Sequence, residues 1–311
     1  MINFRYHVVS LTAVFLALAI GLVVGTAALN GPVADSLKDT VNALRKDNQH
    51  LREQVASLQE EVNREEDFAA EAAPILLHGK LDGRRILLLT LPTGQEHADG
   101  VLDMLRKAGA SVTGRIDVQD KFVNPDSNND LLSLAARSAR PSVPTAGLPG
   151  NSDGVETSSA LLAGAVLDQP DGATVTEADR NAVLTAYRDG GFITFDDKIT
   201  GPAEAVVVIS GPPHIDRDAA QKDASVQTLV VQLDKPGALV IAGNGAGDGN
   251  VVAAVRNDPA LSKTISTVDN ANTPQGQLVT ALATAEQVVN RKAGQYGLGA
   301  GASSLMPKLP E

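Results

Sequence analysis

The sequence contains no cysteine and no tryptophan, and only three tyrosines and six phenylalanines among 311 residues. Without cysteine there is no disulfide framework, no thiolate metal site and no cysteine nucleophile. The methionines are also few: Met1, Met104 and Met306 stand far apart and form no cluster of soft thioether ligands. Aromatic residues at 3% fall short of the two girdles of a transmembrane β-barrel. Positive charge is in deficit, 26 Lys and Arg against 37 Asp and Glu, and the formal charge of −11 repels a phosphate backbone. Nucleic acid is therefore not expected as a partner. The 43% of hydrophobic residues is that of a globular chain, long enough for one anchored domain of ordinary size or two small ones.

Charge is also missing from one long stretch. From Val8 to Leu29 there is no charged residue, only Ser10, Thr12 and Thr26 as polar interruptions. A bilayer core needs roughly 20 helical residues, whereas the apolar core of a signal peptide spans about 7–15. An uncleaved anchor is the expected reading, and a cleaved signal the competing one, since Gly25, Thr26, Ala27 and Ala28 supply small residues at signal-peptidase spacing. Arg5 precedes the span and an acidic segment containing Asp35 follows it, which predicts an extracytoplasmic C-terminal part. Gly21 and Gly25 form a small-xxx-small pair through which two spans would approach.

Beyond this segment a heptad repeat begins. Leu37, Leu44, Leu51 and Leu58 occupy d, while Val41, Asn48, Val55 and Val62 occupy a. β-Branched a positions with leucine at d favour a parallel two-stranded coil, and a single asparagine at a fixes its register. Asp47 at g faces the partner's Arg52 at e, an exposed pair contributing about 0.2–1 kcal/mol. The same stripe on a solitary helix would face its own globular domain, but the narrow seam flanked by charge favours a homodimer. Pro74 lacks a backbone donor and disfavours helix at Ala73, so the stalk is expected to bend or stop there.

From Arg84 the pattern changes to short apolar runs alternating with helical periodicity. Residues 86–91 read as a buried strand, 98–108 as a helix and 111–118 as a second strand, a βαβ unit. Further apolar runs follow at 192–195, 205–209, 238–242 and 265–268, with helices at 176–187, 217–233 and 274–289. Continuous apolar strands interleaved with helices predict a three-layer, Rossmann-like α/β domain with a mostly parallel sheet. The expected segments are an anchor (1–31), a coiled-coil stalk (32–70), a linker (71–83), an α/β domain (84–291) with loop insertions at 119–155, and a flexible Gly- and Pro-containing tail (292–311).

Motifs that carry chemistry are sparse. The run Gly243, Asn244, Gly245, Ala246, Gly247, Asp248, Gly249, Asn250 follows a strand and precedes a short helical stretch, a setting in which backbone amides can cradle phosphate. Its spacing fails the dinucleotide fingerprint: counted from Gly243 the sixth position is Asp248, and from Gly245 it is Asn250. The loop reads as a flexible connection or as a contact for a small ligand or protein partner. Glu96, His97 and Asp99 diverge at a helix start and are a poor metal site, while His78 and His214 read as solvated loop residues and His50 as a water-facing stalk residue. Asp196 and Asp197 follow a strand and read as an exposed turn. No nucleophile elbow or zincin motif is present. No enzyme and no cofactor are expected.

Three motif regions resemble a known family. Phe4, Arg5, Tyr6, His7, Val8, Val9 and Ser10 lead the apolar segment, Ser266, Thr267, Val268 and Asp269 precede Asn270, and Gln295, Tyr296 and Gly297 lie near the end. Together with the anchor, coil and α/β order they are similar to the actinobacterial family named for the mycobacterial copper transport protein B. The resemblance implies two functions: copper efflux or an outer-membrane channel, and control of cell-wall hydrolysis during daughter-cell separation. Ligand chemistry favours the second, because copper(I) handling calls for cysteine or clustered methionine. The sequence thus predicts a dimeric scaffold in the cytoplasmic membrane that regulates or recruits an envelope or cell-division protein, with copper transport as the alternative.

Overall fold

A computed structural model describes residues 4–29, 31–144, 151–195 and 198–308. Asp196, Asp197 and part of the 140–154 loop lie outside the described residues. The chain divides into two compact units, Met1–Arg64 and Glu65–Glu311.

The first unit is helical. Helix α1 (Phe4–Leu29) contains the stretch Phe4–Ala27, which is long and apolar enough to cross a membrane and is not buried. Helix α2 (Pro32–Leu77) opens with Asp35 in its first turn, where a carboxylate complements the helix dipole. Its heptad residues are exposed in the single chain, Leu37 at 65% and Leu58 at 60%.

The second unit begins inside α2. Contrary to the expected break, the helix continues past Pro74 to Leu77. Ala73 and Leu77 are completely buried against the α/β domain, and Pro74 itself is exposed, so packing on one face outweighs the backbone bond lost on the other. Residues 71–77 of the expected linker thus lie within the helix.

The domain is built on β1 (Arg85–Thr90), β2 (Ser111–Val118), β3 (Ile193–Thr194), β4 (Ala205–Ile209), β5 (Ala238–Ala242), β6 (Ile265–Val268) and β7 (Gln295–Tyr296), in the spatial order β3-β2-β1-β4-β5-β6-β7. Every pairing is parallel except β2 with β3, where Asp117 and Val118 face Thr194 and Ile193. The helices are α3 (Ala98–Lys107), α4 (Asp120–Val123), α5 (Asn128–Ser138), α6 (Gly154–Val166), α7 (Glu177–Asp189), α8 (Ala219–Asp234), α9 (Val251–Asn257) and α10 (Pro274–Asn290).

Strand alternation sends successive side chains to opposite faces, and both faces are covered. Leu87, Leu89, Val206, Val208 and Ile241 join one core with residues of α5 to α9, while Ile86, Leu88, Val207, Ile209 and Val240 join another with α3, α10 and the end of α2. This is why the strands read as unbroken apolar runs.

Two expectations change. The 119–155 region contributes helices α4 and α5, and Phe122, Val123 and Leu131 are completely buried. Its Asn- and Ser-rich stretch is capping sequence: Asn124 Oδ1 accepts from the Asp126 amide at 2.9 Å, and Asn128 Oδ1 from the Gly154 amide at 2.9 Å. Nor is the tail free: β7 extends the sheet beside β6, pairing Thr267 with Gln295 and Val268 with Tyr296.

Candidate ligand cleft at the carboxyl edge of the sheet

The chain leaves β1 towards β2 on one side, and β4 lies on the other. In an open α/β sheet such a reversal of strand order separates the loops at the carboxyl ends and opens a crevice between them. Here the two loops also touch. The Leu91 amide donates to the Ile209 carbonyl at 2.8 Å and the Gly211 amide to Thr93 Oγ1 at 3.2 Å. A Cβ at Gly211 would overlap the Thr93 carbonyl, so only glycine permits this approach.

Beside this contact lies a cleft of about 430 Å³ whose polar lining includes Thr93, Ser210, His214, Asp223, Asp248 and Asn250. Asn250 is fully engaged. Its Oδ1 caps α9 through the Val252 amide at 2.9 Å, and its Nδ2 donates to the Gly211 and Asn244 carbonyls at 3.2 Å each.

His214 is held differently. Its Nδ1 lies 2.8 Å from Asp223 Oδ1. A carboxylate only accepts, so this bond assigns the ring hydrogen to Nδ1, and in the neutral ring Nε2 carries a lone pair. Nε2 is buried with no hydrogen-bond partner, and so is Ser210 Oγ. The expected solvated loop histidine is thus a side chain only 10% exposed, fixed by an aspartate nine residues later in the sequence. Its neighbour Pro213 suggested an exposed turn, and the pairing with Asp223 across a loop and one turn of helix left no local signal.

The glycine-rich run contributes Asp248 and Gly249 to the cleft lining, and its first half is bonded back to the sheet. Gly243 donates to the Val268 carbonyl at 2.7 Å and Gly245 to the Asp269 carbonyl at 2.6 Å, while Asn244 bridges Asn270. The loop is stitched to the end of β6, and Gly247 accepts from the Asn250 amide at 3.1 Å. Among the described residues no lysine or arginine lines the cleft, which disfavours an anion.

The other candidates do not converge. Asp99 is paired with Arg115 at 2.9 Å, and His97 stands half-buried in the turn before α3. Among the described residues no group of three or more His, Asp or Glu could hold a metal ion. Met104 is buried in the core and Met306 is half-buried on the tail, so the donors present do not fit a soft copper(I) site.

An apolar N-terminal helix, a heptad-patterned second helix and a doubly wound, mostly parallel α/β domain define the class of protein. Residues 1–307 match the family described as "Copper transport outer membrane protein, MctB", and the chain belongs to that family. The curated proteins named "Copper transporter MctB" from Mycobacterium tuberculosis (strain ATCC 25618 / H37Rv) and Mycobacterium leprae (strain TN) are 30% and 31% identical to it. Each alignment covers 98% of this chain and 99% of the relative. These names agree with the copper-transport implication of the sequence and not with its cell-separation implication.

Proposed function

We propose that this chain is a membrane-anchored component of copper transport in the cell envelope. The observation that carries this reading is the family match over nearly the whole chain, with relatives of the same length that bear the copper-transporter name. Its role is architectural and non-catalytic, since copper is the cargo and the donor set for copper(I) is lacking. Helix α1 sits in the cytoplasmic membrane with Arg5 on the cytoplasmic side, and the α/β domain lies outside. The exposed seam from Leu37 to Val62 supports a parallel homodimer, and the domain's loops meet a protein partner that supplies the copper ligands.

Deleting the gene in its own host, with copper tolerance, cell copper content and cell separation scored together, tests this reading. The expected result is copper hypersensitivity with raised cell copper and normal separation, restored by the full chain. Chained, unseparated cells at normal copper tolerance would overturn it in favour of a cell-wall scaffold.

A further inference from the structure

We propose that Phe68 and Ile75 of α2 dock on the α/β domain of a second copy of this chain. The inference rests on the parallel homodimer proposed above and adds to it a contact between one chain's helix and its partner's domain. Both side chains are bare in the single chain, Phe68 at 73% and Ile75 at 82% exposure. They lie seven residues apart and both fall at g of the heptad that puts Val55 and Val62 at a. The flanks of that heptad change character here. Up to Glu61 they are polar, g holding Thr40, Asp47, Gln54 and Glu61, and e holding Lys38, Arg45, Arg52 and Gln59. The next d position is Glu65, which would set two carboxylates against each other across a parallel seam, so the zipper ends at Val62.

Beyond that point the e flank is taken by the chain's own domain. Ala69 at a is 4% exposed, Ala73 at e is completely buried, and so is Leu77 one turn further on. The g flank is left uncovered, and there the sequence turns from polar residues to Phe68 and Ile75. In a parallel coil the g residue of one chain faces the e residue of the partner's next heptad, as Asp47 faces Arg52. Helix α2 runs unbroken to Leu77, so the count continues: Phe68 faces the partner's Ala73, where the partner's domain covers its own helix. Continuity with the seam thus selects the occupant, which is the partner's domain and not its helix. Two-fold symmetry makes the contact twice. Each domain is then held by Ala69, Ala73 and Leu77 of its own α2 and by Phe68 and Ile75 of the other chain, an aromatic and an aliphatic anchor of the kind that dominates interfaces.

The test uses the full chain in detergent, and the absence of native cysteine lets a single introduced thiol be read alone. Val55→Cys reports the coil through an interchain disulfide. Benzoylphenylalanine in place of Phe68 or Ile75, in dimers mixed from ¹⁵N-labelled and unlabelled copies, reports the docking. The expected result is a disulfide-linked dimer from Val55→Cys, and photocrosslinks from both positions to residues 84–308 of the other isotopic copy. The exposed c position Glu71 should give no such crosslink. Phe68→Ser combined with Ile75→Ser should weaken the dimer at least tenfold by sedimentation equilibrium while the domain unfolds as in the wild type. A Val55→Cys disulfide without interchain crosslinks from positions 68 and 75, crosslinks confined to the same copy, or an unchanged dimer in the double variant would overturn the docking and leave the coil standing. Absence of the Val55→Cys disulfide would overturn the homodimer and the docking with it.

Discussion

Arg256 Nη1 lies 2.7 Å from Asp269 Oδ2, with both side chains only 2% exposed. The pair organises the C-terminal strap. Arg256 donates to the Tyr296 carbonyl at 2.6 Å and the Ala300 carbonyl at 2.9 Å, while Asp269 accepts from the Leu298 and Gly299 amides at 2.8 and 2.9 Å. Two motif regions far apart in sequence, one around Asp269 and one around Tyr296, are thus joined through one arginine of α9. Breaking a buried pair leaves an uncompensated charge, so Asp269→Asn should cost about 3–5 kcal/mol. Chemical denaturation of the full chain measures the loss, and limited proteolysis should cut the strap beyond Arg291 before the rest of the domain. The double change Arg256→Met with Asp269→Leu should recover part of the stability, because it removes both charges.

The pH response has a second, half-buried carboxyl at its centre. Desolvation raises the pKa of Asp234 at the end of α8, against a smaller lowering effect of the Thr264 hydroxyl, which donates to it at 2.8 Å. A carboxyl with a folded pKa above its unfolded one favours folding below the ordinary carboxylate range. That contribution is lost as pH rises through the unfolded value and on to the raised folded value. Asp234→Asn keeps an acceptor for Thr264 and removes the charge. It should therefore raise the melting temperature at pH 7 by roughly 1–3 °C and bring no gain at pH 3. Thermal unfolding at the two pH values checks this, and an equal gain at both would contradict it.

Strands 205–209, 238–242 and 265–268 stand where their apolar runs place them, because a strand buried on both faces needs no partner information to be seen. Thr176 likewise announces α7, its Oγ1 accepting from the Asp179 amide at 3.2 Å. What the sequence hides is carried by contacts distant along the chain. Helix α5 opens with Asn128, Asn129 and Asp130, which resemble a loop until Asn128 is seen to cap α6. The tail looks loose until Arg256 binds it. At the cleft, Asp248 and Gly249 belong to the flagged glycine run, but Thr93, Ser210, His214 and Asp223 come from two other loops and a helix that only the sheet order brings together.

The heptad seam makes the most direct claim about assembly. Asn48 at an a position is exposed in the single chain, as are Leu44 and Leu51 on either side of it. Across a parallel dimer interface Asn48 would pair with its own copy and hold the strands in register and at two. Leu51→Asp places a carboxylate at d in both chains, and the full chain in detergent should change from dimer to monomer by sedimentation equilibrium. Asn48→Val should act in the opposite sense: association persists, the melting temperature of the coil rises, and species larger than the dimer appear because register and strand number are no longer fixed. If Leu51→Asp left the mass unchanged, the seam would not be the contact between chains. A monomeric wild-type chain would exclude the coil altogether. A dimer lost with Leu51→Asp but unaltered in size with Asn48→Val would keep the seam while removing the role assigned to Asn48.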